Sequence, residues 1–240
     1  MNPRSWLAAS WFFASCGIGF FMSLVRWGDN NVVVDMGRIM AWGVLPLSRV
    51  RVRVFGKEHL SESLQPCVYV GNHQGTFDVP MYGDFGMRRT VAVGKRELNF
   101  VPIFNLAWWA SGNISIDRSN RSRAVKSLEH AAKVIREKKT SVLMFPEGTR
   151  NRTEQAMLPF KKGAFHLAIE AQVPVVPIVI ADYRKAQREG RFENVTVEVR
   201  VLPPIPTSGL SRDRVDALAD QVRTQMLAAL SELKVERDPT

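Results

Sequence analysis

The feature that most limits the fold of this chain is an uncharged, apolar stretch near its beginning, from Ser5 to Val25. As an α-helix, with a rise of about 1.5 Å per residue, this stretch would be about 30 Å long, close to the thickness of the hydrocarbon core of a bilayer. Trp6 and Trp27 lie near its two ends with Arg4 and Arg26 beside them, an arrangement typical of interfacial anchors. The stretch therefore predicts a helix that is buried in lipid.

A second apolar stretch, from Val32 to Leu47, is interrupted by Asp35 and Arg38. The residues between the two stretches, Gly28–Asn31, are typical of a turn, so residues 1–48 are predicted to form a membrane-associating helical hairpin. Two arrangements remain open. Either the first arm spans the bilayer, or both arms lie within one leaflet.

A cleaved signal peptide is the competing interpretation of the first stretch. Phe13–Cys16 loosely resembles a lipoprotein cleavage site, but the apolar residues continue well beyond Cys16, so we expect a retained anchor. Basic residues follow the anchor, which favours a cytoplasmic position for the rest of the chain. They are Arg26, Arg38, Arg49, Arg51 and Arg53.

The formal net charge of +10 favours an anionic partner, such as an anionic membrane surface, a phosphorylated substrate or nucleic acid. The chain contains no helix-turn-helix signature and no clustered aromatic and basic residues, so nucleic-acid binding is not predicted. The only cysteines, Cys16 and Cys67, indicate neither a disulfide framework nor a zinc site, and no ligand cluster for another metal is present.

Residues 49–240 alternate short β-rich segments with amphipathic helical segments, which predicts an α/β domain with a single mixed β-sheet flanked by helices. Several of the strands are apolar throughout, as expected for a sheet covered on both faces. The predicted strands are Val50–Phe55, Val68–Gly71, Thr90–Val93, Ile114–Ile116, Ser141–Phe145, Val173–Ile180 and Val195–Val201, and the predicted helices are Arg121–Lys138, Lys162–Glu170 and Asp213–Leu233. A short polar tail is expected to be loose.

The strongest candidate for chemistry is the pair His73 and Asp78, directly after a predicted strand. In a regular helix these side chains would point about 140° apart, so we expect His73 on a turn and Asp78 in the first helical turn, with Gly75 and Thr76 supplying the turn and an N-cap. Asp78 would then accept the proton of one ring nitrogen and leave the other nitrogen free as a base. No nucleophilic serine or cysteine is indicated beside this pair, which suits direct attack by a substrate hydroxyl.

A second candidate site, Glu147–Arg150, follows another apolar strand. Gly148 permits backbone conformations closed to other residues, Arg150 is suited to clamping an anion, and Glu147 would bind hydroxyls or hold Arg150 in place. Two further strand ends present Lys95 and Arg118. Three basic residues at strand ends indicate a phosphate pocket at the edge of the sheet.

These motifs occur in the order of the four blocks of the glycerolipid acyltransferases, and the chain resembles the bacterial 1-acylglycerol-3-phosphate (lysophosphatidic acid) acyltransferases of that family. The resemblance covers roughly residues 68–178, and Pro159–Phe165 adds a further matching segment within this range. The matching segments are Asn72-His73-x4-Asp78, Gly94-Lys95, Gly112–Arg118, Phe145–Arg150 and Val173–Ile178. One departure is Gly75, where members of the family often carry serine or asparagine.

The resemblance implies roles for the matching residues. His73 would deprotonate the 2-hydroxyl of the acceptor and Asp78 would orient His73, so that the hydroxyl attacks an acyl thioester directly, without an acyl-enzyme. Pro174 and Pro177 would shape the wall of the site. The acceptor's glycerol phosphate would be held by Glu147, Gly148, Thr149 and Arg150, with help from Lys95 and Arg118.

The implied partners are membrane lipids, lysophosphatidic acid as acceptor, and acyl-coenzyme A or an acyl carrier protein as thioester co-substrate, with no cofactor or metal. The implied location is the bacterial inner membrane, with the catalytic domain on the cytoplasmic side. We also expect an apolar groove for the acyl chain, lined by residues of Phe100–Trp109. The alternatives are the same chemistry on another lysophospholipid or on glycerol 3-phosphate, or a lipid-binding relative without catalysis.

Overall fold

The computed structural model describes residues 3–29, 31–61, 66–85, 87–95, 108, 110–116, 121–190 and 192–238. The helices are α1 Pro3–Val25, α2 Asn31–Leu47, α3 Asp78–Asp84, α4 Arg121–Lys138, α5 Gly163–Ala171, α6 Arg184–Arg188 and α7 Val215–Glu232. The strands are β1 Val50–Phe55, β2 Val68–Gly71, β3 Thr90–Lys95, β4 Ile114–Ile116, β5 Ser141–Met144, β6 Val175–Ile180, β7 Val195–Val201 and β8 Val235–Arg237.

The predicted helical hairpin is present as α1 and α2, and small residues form the face of α1 that packs on α2. Ala8, Ser15, Gly19 and Ser23 are buried there, because small side chains allow two helices to approach closely. The indole N–H of Trp11 donates to the carbonyl oxygen of Ile39 at 2.9 Å and fixes the contact.

The opposite face of α1 carries large apolar side chains that remain uncovered. Phe13 is 72% exposed and Phe21 is 68% exposed. A contiguous exposed apolar face of this kind is typical of a membrane-contacting surface. Among the described residues, α1 is the one helix that is both long and apolar enough to cross a bilayer. The hairpin therefore fits membrane association.

The second arm of the hairpin is fastened to the rest of the protein by a contact between two glycines. Gly37 of α2 lies against Gly83 of α3, and a Cβ atom on Gly83 would lie 2.2 Å from the carbonyl oxygen of Gly37. No side chain fits between the two backbones. The helix that begins at Asp78 is thus in direct backbone contact with the hairpin.

The strands form the single mixed sheet that the sequence predicted, and their order is β1-β7-β6-β2-β5-β3-β4. The five strands from β6 to β4 in this order are parallel to one another, whereas β7 is antiparallel to β6 and parallel to β1. Strands β2 and β6 are buried along their whole length, which accounts for their unbroken apolar sequences.

The chain end differs from the prediction of a loose tail. Val235–Arg237 forms β8, which pairs antiparallel with β7. The segment is too short and polar to show a strand pattern, but the edge of β7 supplies its hydrogen bonds. The Arg53 guanidinium also contacts the Glu236 carboxylate at 3.0 Å.

Candidate active site

The carboxyl ends of the neighbouring strands β5, β2 and β6 meet at one edge of the sheet, and the candidate residues follow these ends. His73 lies on the turn after β2, and Asp78 is the first residue of α3. The two side chains meet as predicted: Nδ1 of His73 lies 2.7 Å from Oδ2 of Asp78. The imidazole is stacked on the ring of Phe145, with centroids 4.3 Å apart. Within the described part of the chain, Nε2 of His73 has no hydrogen-bond partner.

The Asp78 carboxylate is fully buried, and its oxygens accept four hydrogen bonds. Besides the His73 ring, Oδ2 accepts the backbone N–H groups of Gln74 at 2.6 Å and Gly75 at 2.9 Å. Oδ1 accepts the hydroxyl of Tyr183 at 2.7 Å. The prediction of Thr76 as N-cap is wrong, because the Asp78 carboxylate itself organises the turn and no side chain caps α3.

The turn that carries His73 is tied to the end of β6. The side chain of Asn72 accepts the backbone N–H of Ile180 at 2.9 Å and donates to the carbonyl oxygen of the same residue at 2.8 Å. Gln74 donates its amide to the carbonyl oxygens of Ile180 and Ala181. These buried contacts hold the backbone on both sides of His73.

Glu147 also acts on this backbone rather than on Arg150. Its Oε1 accepts the N–H of His73 and its Oε2 accepts the N–H of Leu158, both at 2.9 Å. The prediction that Glu147 holds Arg150 in place is therefore wrong: both carboxylate oxygens accept main-chain donors. Burial raises the pKa of Glu147, and the two backbone donors partly offset this rise by stabilising the charged form.

Arg184 organises the loop beyond Glu147, and no sequence motif marked it. Its guanidinium is buried and donates to the carbonyl oxygens of Thr153 at 2.7 Å and Gln155 at 3.0 Å. Hydrogen bonds to Asp182 raise the pKa of Arg184 and hold the side chain in place. The same loop also contacts the turn after β2, since the N–H of Asn151 donates to the carbonyl oxygen of His73 at 2.8 Å.

The surface beside this loop is basic. Thr149 and Arg150 are exposed, and Arg150 forms no ion pair with any described residue. Gly148 has a φ of 69°, and a Cβ atom there would lie 2.9 Å from the Cδ, Cε and Nζ atoms of Lys161. Lys161 therefore lies across Gly148, directly beside Thr149 and Arg150. Lys161 is an addition to the predicted site, and the only sequence signal for it was its place in the matching segment Pro159–Phe165.

Two of the predicted basic residues are not placed. Lys95 ends β3, next to β5, but its side chain and the whole of Arg118 lie outside the described residues. Pro174 is placed differently from the prediction. Pro174 precedes β6, and its carbonyl oxygen accepts the N–H of Val68, so it lies at the edge of the sheet opposite His73. Pro177 lies inside β6, in register with Val70.

An apolar cavity of about 460 Å³ lies between the hairpin and the turn before α3. Its lining includes Ala9 and Phe12 of α1, Val44 of α2, and Thr76 and Phe77 from the turn between His73 and Asp78. Of the expected groove residues Phe100–Trp109, only Trp108 is described. Its indole N–H donates to the Ser115 hydroxyl at 3.0 Å. No group of three metal-ligating side chains occurs in the described ranges.

A His–carboxylate pair at the carboxyl edge of an α/β sheet, next to a basic loop, is an arrangement suited to enzymes that activate a hydroxyl group. Comparison with known proteins supports this class and specifies it. The chain belongs to the acyltransferase family, whose family model matches residues 51–181. The resemblance stated from the motifs is thereby confirmed.

The chain is similar to proteins named 1-acyl-sn-glycerol-3-phosphate acyltransferase. It is 42% identical to the human alpha form over 211 residues, which cover 87% of this chain and 74% of that one. It is 34% identical to the Haemophilus influenzae protein over 227 residues, covering 92% and 91% of the two chains. It is 37% identical to the Escherichia coli protein over 176 residues, covering 73% and 71%.

The fold is also that of a solved structure, the 1-acyl-sn-glycerophosphate (LPA) acyltransferase PlsC from Thermotoga maritima. The TM-score is 0.71, the sequence identity is 21%, and the match covers 96% of this chain and 94% of that chain. The predicted fold class, a mixed sheet with flanking helices behind an apolar N-terminal helix, is confirmed.

Proposed function

We propose that this protein transfers an acyl group from acyl-coenzyme A or an acyl carrier protein thioester to the 2-hydroxyl of 1-acylglycerol 3-phosphate, giving phosphatidic acid. The observation that carries the proposal is the 2.7 Å contact between Nδ1 of His73 and Oδ2 of Asp78. With Nδ1–H donated to the carboxylate, Nε2 is the unprotonated nitrogen and acts as the base. The names of the similar proteins support the acceptor.

The transfer proceeds in two steps, with His73 as the proton carrier. Nε2 takes the proton of the acceptor hydroxyl while its oxygen forms a bond to the thioester carbonyl carbon. The tetrahedral intermediate then collapses, the carbon–sulfur bond breaks, and the leaving thiolate takes the proton back from the imidazolium. Asp78 stabilises the imidazolium between the two steps.

A direct attack is supported by the surroundings of the base. Among the described residues, no serine or cysteine side chain is hydrogen-bonded to His73, as the nucleophile of an acyl-enzyme would be. Cys67 lies before β2, at the opposite edge of the sheet, where burial raises the pKa of its thiol to about 11. That thiol is therefore not an activated nucleophile.

The acceptor phosphate is assigned to the basic loop. Arg150 and Lys161 are exposed cations, Lys161 lies across Gly148, and the guanidinium of Arg150 suits bidentate binding of a phosphate. The turn at Glu147 and Gly148 connects this anion site to the backbone of His73. Phosphate binding and base positioning thus share one loop.

We assign the apolar cavity between the hairpin and Phe77 to an acyl chain. Its wall is mostly apolar, and it reaches the turn between His73 and Asp78. A lipid acceptor held by the hairpin in the membrane would place its headgroup at the basic loop. The +10 net charge and the basic residues after α1 favour the inner membrane with the site on the cytoplasmic side.

The first test is acyl transfer from a labelled thioester to lysophosphatidic acid in liposomes, comparing wild type, His73→Ala and His130→Ala. His130 is an exposed histidine of α4 and is the matched control. We expect His73→Ala to lose about 10³-fold or more in kcat, and His130→Ala to retain wild-type activity. Wild-type activity that survives His73→Ala would refute the base assignment.

The acceptor is tested separately with a panel that includes other lysophospholipids and glycerol 3-phosphate. We expect kcat/KM to be highest with lysophosphatidic acid. A higher value for another acceptor would reassign the substrate without changing the chemistry. Acceptor binding without turnover, with either thioester donor, would support a lipid-binding protein instead.

A further inference from the structure

The Asp78 carboxylate has a second buried partner besides His73. Tyr183 follows β6 and is fully buried, and its hydroxyl donates to Oδ1 of Asp78 at 2.7 Å. The other carboxylate oxygen, Oδ2, is the one that contacts His73. Each side of the carboxylate is therefore held by a different side chain.

We propose that Tyr183 is a positioning residue for acyl transfer, acting through Asp78 to keep the carboxylate aimed at Nδ1 of His73. The inference rests on the proposed function, in which His73 is the base. Without Tyr183, the hydrogen bonds from His73, Gln74 and Gly75 all fall on Oδ2, and Oδ1 has no donor among the described residues. With Tyr183 on Oδ1, rotation of the carboxylate about its Cβ–Cγ bond breaks a buried, charge-assisted hydrogen bond and is disfavoured.

Ring packing and burial keep the Tyr183 hydroxyl in place and protonated. Its ring packs on Phe192, with centroids 5.0 Å apart, so the hydroxyl is held in one place. Burial raises the pKa of Tyr183 far above the usual value for tyrosine, and the neighbouring Asp78 charge raises it further. The hydroxyl therefore keeps its proton throughout the pH range of an activity assay.

The position of Tyr183 also accounts for the glycine at position 75, where members of the family often carry serine or asparagine. A Cβ atom on Gly75 would lie 2.9 Å from the Tyr183 hydroxyl oxygen, closer than non-bonded carbon and oxygen atoms approach. The side chain at position 75 and the Tyr183 hydroxyl therefore compete for the same space. Family members with serine or asparagine at this position would need a different arrangement behind the carboxylate.

The test uses Tyr183→Phe, which keeps the ring and removes only the hydroxyl. We expect kcat to fall about tenfold, with both KM values within about twofold of wild type. Without the Tyr183 hydroxyl, the charge on Asp78 loses one of its four donors and keeps only His73 and the N–H groups of Gln74 and Gly75, so the His73–Asp78 pair holds its proton more tightly. The acidic limb of the pH–rate profile should therefore move to higher pH, a change that lost packing would not produce.

Two further titratable residues face the His73–Asp78 pair, and one of them, Tyr82, supplies the control. Glu147 accepts the backbone N–H of His73, and the Tyr82 hydroxyl donates to the carbonyl oxygen of Asn72 at 3.3 Å. Tyr82→Phe also removes a buried tyrosine hydroxyl near Asp78, but not one bonded to it. We expect Tyr82→Phe to leave the acidic limb in its wild-type position.

A second variant tests the same contact without removing it. Gly75→Ala places a methyl group against the Tyr183 hydroxyl and should lower kcat several-fold in the wild-type background. In the Tyr183→Phe background the competing oxygen is gone, so Gly75→Ala should have no further effect. Such non-additivity is the signature of residues that act through one contact. Equal losses in both backgrounds would overturn the inference.

Histidine NMR separates this inference from the proposed function. With 15N-labelled histidine, and His73→Ala to assign the signal, the titration of the His73 ring is followed in wild type and in Tyr183→Phe. We expect a shift to higher pH in the variant. Superimposable titration curves would refute the role of Tyr183 even if the enzyme is active. A shift without acyl transfer by the wild type would refute the proposed function and leave the Tyr183 contact standing.

Discussion

The carboxylate of Glu147 accepts the backbone N–H of His73 at 2.9 Å, so the two main motifs of the site are joined through the main chain. The same loop donates the Asn151 N–H to the carbonyl oxygen of His73 at 2.8 Å. Both backbone polar groups of His73 are thus held by residues that follow β5. The loop fixes the backbone of His73, and Asp78 contacts its ring.

Glu147→Gln should therefore impair catalysis without touching the reacting atoms. An amide has one oxygen, so one of the two backbone N–H groups would face an NH₂ group and lose its acceptor. We expect kcat to fall about tenfold or more and the free energy of unfolding to fall by about 1–3 kcal/mol. Steady-state kinetics and urea unfolding measure the two effects. Glu154→Gln, at an exposed carboxylate in the same loop, is the control, and wild-type kinetics for Glu147→Gln would contradict the prediction.

The stability of the protein should also depend on pH through Glu147. Burial raises the pKa of this carboxyl, so folding favours its protonated form. The stabilisation is fully present below the pKa of an exposed glutamate, about 4.3, and is lost as the pH rises through the raised value. Relative to Glu147→Gln, wild type should become less stable from about pH 4 upward. Urea unfolding at several pH values measures this difference, and a constant difference would contradict the prediction.

Lys161 and Lys162 are adjacent residues for which we expect different roles. Lys161 lies across Gly148, whereas the ammonium of Lys162 pairs with the Asp216 carboxylate at 2.7 Å. Lys161→Met should raise KM for lysophosphatidic acid about tenfold, an effect that weakens at high salt. Lys162→Met should leave KM unchanged. Equal effects of the two substitutions would indicate a general surface-charge effect rather than a phosphate site.

Arg184→Lys should destabilise the loop that holds His73. Lysine has no planar fork to reach both Thr153 and Gln155, so these partly buried carbonyl oxygens would lose donors. We expect the free energy of unfolding to fall by about 2–4 kcal/mol. Arg188→Lys, at an exposed ion pair on the same helix, should change it by less than about 0.5 kcal/mol. Equal melting temperatures for the two variants would contradict this role.

The apolar cavity predicts a change in chain-length preference. Ala9→Leu adds three carbon atoms to a wall of the cavity, whereas Ser10→Leu adds a similar side chain on the exposed face of α1. We expect Ala9→Leu to slow reactions with long acyl chains about tenfold relative to short ones, and Ser10→Leu to change neither. Competition assays with mixed chain lengths measure the ratio. A uniform loss across all lengths would exclude the cavity as an acyl site.

The sequence predicted the parts of the site that depend on local pattern. Helix α4 begins and ends at the predicted residues, because its amphipathic repeat is long. The meeting of His73 and Asp78 followed from a short turn between a strand and a helix. Placing Glu147 next to His73 required only that two parallel strands end at the same edge of one sheet.

What the sequence could not predict depends on contacts between distant segments. Tyr183 lies 105 positions beyond Asp78, and no periodicity relates the two. In the sequence, nothing distinguishes Arg184 from an exposed arginine, because its partners Thr153 and Gln155 lie about thirty positions earlier in the chain. Glu147 was assigned to Arg150 because the motif places them together, whereas the buried backbone donors of His73 and Leu158 compete more effectively for its carboxylate.

The contact between Gly37 and Gly83 has a consequence for how the enzyme meets its lipid substrate. Because no side chain lies between these two backbones, a change of side-chain rotamer cannot absorb a displacement of α2 relative to α3. We therefore expect a tilt of the hairpin to move α3, with Asp78 at its start. In the proposed mechanism, the depth of the hairpin in the lipid sets the height of His73 above the headgroups. We therefore expect the reaction rate to depend on bilayer thickness.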